Sequence, residues 1–214
     1  MAGEDRRRGY HHGNLREALV AAAQSLIAEK GPGGVTFAEA ARAAGVSPAA
    51  PYRHFKDRDA LLEEVACRGF DRFAEALEAA WDGGRPAPIR AFEALGTAYL
   101  RFAATEPALF AAMFRRERRD DPDPGLIAAS ERAFSVLYSA CDTIAGLARR
   151  DAPPPAHMMA YHIWALSHGT AELFSRPGPR RAPISAEDLL ETGLGIYLRG
   201  LGVLPADDIS SDSS

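Results

Sequence analysis

The chain has 214 residues, of which 25 are basic, 29 acidic and 47% hydrophobic, for a formal charge of −4. This is the balance of a folded protein with a real core in one large or two small domains, and it excludes both a disordered chain and a general nucleic-acid coating protein. Cys67 and Cys141 are too few for a disulfide framework or a metal cluster, and no apolar run is long enough to span a membrane. A reducing, cytoplasmic location is expected, since Arg6, Arg7 and Arg8 are not followed by the apolar stretch of a signal peptide.

Apolar residues recur at i, i+3, i+4 almost throughout, which predicts an all-α protein of about nine helices. The first starts at Asn14, runs through Leu19, Leu26 and Ile27, and stops at Gly31-Pro32-Gly33-Gly34. Thr36 and Glu39 form a capping box for a short second helix that ends at Gly45. Ser47 caps a third, reaching about Phe55, and Asp57 caps a long fourth with the stripe Leu62, Ala66, Phe70, Phe73, Leu77 and Trp81. After the break at Asp82–Pro86, a helix from about Pro88 carries Phe92, Leu95, Tyr99 and Phe102, and a short one follows Pro107. The charged run Arg115 to Asp123 is expected as an exposed loop or frayed helix end. Further helices are expected over 125–149, 155–175 and 185–201, and residues 206–214 as a disordered tail.

Charge is unevenly spread. Residues 1–58 hold nine basic and six acidic side chains, a charge of +3, which leaves −7 for the remainder. A division near residue 58 follows, with domains over 1–58 and 59–205 that meet different partners. The second and third helices, joined through Gly45-Val46-Ser47, form a helix-turn-helix candidate. Gly45 permits positive φ in the turn, and Ser47 caps the helix that would enter a DNA major groove. Pro51 falls in the first turn of that helix and lacks the N–H that would bond the Ser47 carbonyl, so a tightened or displaced turn is expected there.

The stretches Gly9–Arg16, Thr36–Ser47 and Tyr52–Leu62 resemble the tetracycline-repressor (TetR) family of bacterial transcription regulators. Glu106–Phe110 and Trp164-Ala165-Leu166-Ser167-His168-Gly169 resemble the Trp-His-Gly subfamily of its C-terminal domains. The resemblance implies an N-terminal three-helix DNA-binding domain, with residues 1–12 a candidate arm, and a C-terminal bundle for ligand binding and dimerisation. Ser47, Pro48, Ala49, Ala50 and Arg53 would face base edges, with Arg53 able to bond guanine bidentately and the alanines able to touch a thymine methyl. Tyr52, His54 and Lys56 match phosphate-contacting positions, as does Arg58, where the family usually carries Lys. Thr36 can cap its helix or donate to a phosphate.

A small-molecule pocket inside the bundle is also implied, with Phe92, Tyr99, Phe102, Phe110, Met113, Phe134, Tyr138, Tyr161, His162 and His168 as lining residues suited to an amphipathic ligand. The last two helices are expected to form the homodimer interface. Phe37, Val46, Phe55 and Leu62 are core. His157, His162 and His168 do not share the helix spacing of a metal site, Ser167-His168-Gly169 lacks the frame of a nucleophile elbow, and Gly193-Leu194-Gly195 follows no strand. No catalytic residue, metal or cofactor is expected. The reading is a ligand-responsive repressor that binds an operator in double-stranded DNA and is released by a small-molecule effector. Alternatives are a ligand-independent or activating regulator, or a helical ligand-binding protein without DNA binding.

Overall fold

The computed structural model describes residues 12–115, 121–149, 152–175 and 183–205, with side chains from residue 15 onward. The arginines at 6–8, His11 and the tail at 206–214 lie outside it. Eight α-helices follow in order: α1 His12–Lys30, α2 Phe37–Ala43, α3 Arg58–Trp81, α4 Pro88–Thr105, α5 Pro107–Met113, α6 Pro124–Ala145, α7 Ala156–Ser175 and α8 Ala186–Gly200. Short 3-10 turns occupy Pro32–Gly34, Pro51–Arg53 and Asp82–Gly84, and no strand occurs among the described residues. The protein is all-α as expected.

Local chemistry sets the helix ends. Pro88, Pro107 and Pro124 are the first residues of α4, α5 and α6, where proline's fixed φ suits the helix and its absent N–H is not missed. The Asp57 carboxylate accepts the Ala60 N–H at 2.8 Å, and Ser185 with Asp188 closes a capping box on α8.

The chain forms two compact units. The first comprises the described residues up to Arg72 together with those of Glu106–Arg132, and so reaches past residue 58 to include the first 15 of the 24 residues of α3 and all of α5. Leu19 and Ala23 of α1, Ala40 and Ala41 of α2, Leu61 and Val65 of α3, and Met113 of α5 make its core, all essentially unexposed. Gly69 admits α5 closely: a Cβ placed there would stand 2.7 Å from Met113 Cγ and 2.8 Å from its Sδ. Charged side chains tie α1 to α3 at the rim. Arg68 forks onto Glu17 and bonds Glu64, while Arg16 pairs with Glu64 and lies 4.7 Å above the Phe55 ring. The Glu17 carboxyl is held below its usual range by the hydrogen bond from Arg68.

The expectation of an exposed charged run from Arg115 needs correcting at its first residue. The Arg115 side chain is 6% exposed and donates to Asp59 at 2.9 Å, with Glu63, equally buried, at 3.9 Å. Residues 116–120 lie outside the described set.

The second unit comprises Phe73–Thr105 and the chain from Ala133 on. Phe73, Leu77 and Trp81 of α3, Phe92 and Leu95 of α4, Ala140 and Ile144 of α6, Met159 and Ile163 of α7, and Leu190, Leu194 and Leu198 of α8 bury its interior. Helix α4 lies against both α7 and α8.

Candidate nucleic-acid interface

Thr36 caps α2: its hydroxyl accepts the Glu39 N–H at 3.3 Å and donates to Glu39 Oε2 at 2.6 Å. Lys30 bonds the other oxygen of that carboxylate and, with Thr36, holds its pKa down. The Thr36 hydroxyl is thus engaged on both sides in capping, and a phosphate would have to displace its bond to Glu39. Helix α2 ends in a Schellman turn, with Gly45 N–H bonded to Arg42 O and Val46 N–H to Ala41 O at 3.1 and 2.9 Å. Gly45 sits at φ 70°, as that turn requires.

The expected third α-helix is a 3-10 segment instead. The Ser47 carbonyl accepts from Ala50 at 2.9 Å, because the residue four positions on is Pro51 and has no N–H to give. Bonds from Arg53 to Ala50 O and from His54 to Pro51 O continue the tighter winding. The Pro51 ring is buried, which anchors the turn to the core.

This winding displays most of the expected contact residues together. Ser47, Pro48, Ala49, Tyr52, Arg53 and Lys56 are exposed, while Ala50 and His54 are half-buried. Tyr52 is 66% exposed, and its ring meets Phe37 edge-on with centroids 4.9 Å apart, so the core orients the ring while the hydroxyl remains available. Among the described residues neither Arg53 nor Lys56 has a carboxylate partner, so their charge is available to a polyanion.

Arg58 is different. It is half-buried and donates through Nε to Val35 O at 2.7 Å and through Nη2 to Pro32 O at 2.6 Å, with Nη1 3.3 Å from Asp59.

The ten residues expected to line a ligand site fall into separate groups. Phe110 and Met113 are core of the first unit, where Phe110 packs on Phe114. Phe92, Tyr99 and Phe102 are buried on α4. Tyr99 and Phe102 pack on Phe73, and the Tyr99 hydroxyl lies 3.0 Å from His168 Nδ1. Burial raises the Tyr99 pKa against an opposing hydrogen bond from Trp164, and burial lowers that of His168 against Glu172. Phe134 stacks in a row with Tyr161 and Trp164 on α7, but Tyr161 is 56% exposed and Tyr138 44%. His162 is exposed and 3.1 Å from the Tyr197 hydroxyl. Neither cysteine is a ready nucleophile, since burial pushes the Cys141 thiol up to about 12 and also raises that of Cys67.

Residues 19–65 match the family model described as bacterial regulatory proteins of the tetR family, and residues 92–196 match a tetracyclin repressor-like C-terminal domain. No curated protein matches the chain. Among solved structures, a Rhodococcus sp. RHA1 protein described as of unknown function is 31% identical, with a TM-score of 0.76 over 91% of this chain and 98% of its own. PfmR of Thermus thermophilus, a TetR family transcriptional regulator, is 22% identical with a TM-score of 0.66 over 86% of this chain and 98% of its own. FadR of Bacillus halodurans, a fatty acid degradation regulator, shares the fold at 14% identity, with a TM-score of 0.67 over 86% and 98%. With a helix-turn-helix under the first match and a helical bundle under the second, the chain belongs to the TetR family, whose members are DNA-binding transcription regulators and not enzymes.

Proposed function

We propose that this regulator is a dimeric repressor whose 47–56 segment reads operator DNA and whose bundle binds a small amphipathic effector. The observation that carries the DNA reading is the exposed row Tyr52, Arg53 and Lys56, mounted on a turn that buried Pro51 and Phe55 fix to the core. A rigid mount with unneutralised cations suits a phosphate backbone, and Arg53 at the centre suits a guanine edge. In a cytoplasmic dimer formed through α7 and α8, two such rows would dock in successive major grooves. Exposed Leu173 on α7 and Ile196 on α8 supply apolar surface for that contact.

The effector role rests on the family resemblance, and the Tyr99, Trp164 and His168 cluster, whose polar groups bond one another among aromatic side chains of the second unit, marks where an effector would exchange those bonds for its own. Trp164, His168 and Gly169 are also the residues that suggest the Trp-His-Gly subgroup. An uncharged hydrogen-bonding head on an apolar body fits this chemistry. Binding there represses or releases DNA only as far as the ligand prefers one state of the dimer over the other.

The direct test is a titration of wild type and Lys56→Ala on a duplex enriched from a random-sequence library by the wild-type protein, at several salt concentrations. Loss of one phosphate contact per subunit weakens binding and lowers the slope of log K against log[salt] by about 0.9 per contact. An unchanged affinity and slope would remove Lys56 from the interface.

A further inference from the structure

The position that the family resemblance assigns to a phosphate contact is occupied here by a half-buried side chain bonded to backbone carbonyls. Arg58 opens α3, immediately after the DNA-reading segment. Val35, whose carbonyl it holds at 2.7 Å, stands immediately before Thr36, the cap of α2, 23 positions earlier in the chain. Its second bond, 2.6 Å to Pro32 O, fixes the turn that leads into Val35. The guanidinium therefore joins the two ends of the loop that contains every other residue assigned to DNA. Asp59 steadies the fork from the other side and shares its Oδ1 with the buried Arg115.

We propose that Arg58 is a positioning residue: it clasps the root of the helix-turn-helix, fixing the angle between α2 and the 47–56 segment, and does not bind phosphate. The inference rests on the DNA-reading role of residues 47–56. The chemistry favours this use of the side chain. Planar guanidinium presents several donors in a fixed fork and spans two carbonyls at once, whereas the single nitrogen of the family's usual Lys does not reproduce that geometry. A carbonyl also gives a guanidinium no charge to neutralise, so these bonds serve orientation.

The test compares Arg58→Lys and Arg58→Gln with wild type on two probes, the enriched duplex and a random-sequence duplex, across a salt series. Each variant is first checked for helicity and cooperative melting. A clasp predicts that both variants lose about tenfold in affinity for the enriched duplex, as expected for loss of charge-assisted hydrogen bonds, with the salt slope unchanged. It also predicts a lower ratio of enriched to random binding, which a mere loss of folded protein does not produce, since that weakens both probes alike. The proposal is overturned if Arg58→Lys binds like wild type while Arg58→Gln loses about one phosphate contact's worth of slope. If Arg58→Gln does not fold, Arg58→Lys decides: weaker binding with lower discrimination at an unchanged salt slope supports the clasp, and wild-type affinity and discrimination overturn it. Lys56→Ala run in parallel separates failure of the clasp from failure of the DNA-reading assignment.

Discussion

His168 shows how one half-buried side chain couples packing to pH. Burial holds its pKa below the ordinary 6.5, with the Tyr99 hydroxyl at 3.0 Å and Glu172 opposing. The unfolded chain therefore takes up a proton before the folded one as pH falls. Stability present above 6.5 is lost progressively between 6.5 and the lower folded value. Thermal melts at about pH 7.5 and about pH 5.5 should show a drop in Tm on acidification that is smaller in His168→Gln. An equal drop in the variant would show that other groups carry the effect. In the sequence, His168 reads as a residue of a ligand site. Its bond to Tyr99, 69 positions away, was not legible there. Arg115 makes the same point more sharply. A run of charges reads as solvated surface, yet this guanidinium is buried because Asp59 and Glu63, on a helix distant in sequence, supply the counter-charge that burial demands.

At the scale of elements, punctuation was the readable part. The α2 stop at Gly45, the Asp57 cap and the three prolines that open helices are local chemistry and appear where the sequence puts them. Pro51 foretold a tightened turn, and the structure extends its effect: the segment that follows winds as a 3-10 turn because the i+4 donor is missing at its start. Close helix approaches were not readable. Gly69 looks like an unfavourable residue inside α3, where its flexibility costs about 1 kcal/mol against Ala. Its role emerges only from Met113, whose buried side chain occupies the space a Cβ would need. Gly69→Ala should therefore destabilise the protein by about 1–3 kcal/mol through overpacking, despite the better helix former, and lower the Tm by several degrees in a calorimetric melt. A rise in Tm would mean that Met113 relaxes freely.

For the whole molecule, the net charge of −4 misleads because it averages a basic reader with an acidic remainder. Within the reader, Arg16 and Lys30 are paired with Glu64 and Glu39, so fewer of its cations stand unpaired. Binding through so few unpaired cations gains from two copies of the reader acting together, as in the proposed dimer. Leu173 and Ile196, 72% and 65% exposed on α7 and α8, are apolar side chains that the proposed dimer would cover. The double variant Leu173→Glu, Ile196→Glu should sediment as a monomer with unchanged helicity and bind the enriched duplex about a hundredfold or more weakly, because the second reader is no longer tethered. A dimer that persists would place the interface on other residues.

The all-α class, most helix boundaries and the α2 stop at Gly45 could be read from the sequence, because they rest on periodicity, caps and turn residues whose physics spans only a few positions, whereas the expected third helix is a 3-10 turn. The contact roles of Tyr52, Arg53 and Lys56 came from the family resemblance, and the structure adds that all three are exposed beside buried Pro51 and Phe55. Packing between distant segments, by contrast, bonds Arg58 to the carbonyls of Pro32 and Val35, buries Arg115, and divides the ten aromatic, methionine and histidine residues expected at one ligand site among different groups. Periodicity tells that a side chain leaves the solvent, not which neighbour receives it. For a long side chain with several donors or a large ring, the neighbour determines the role.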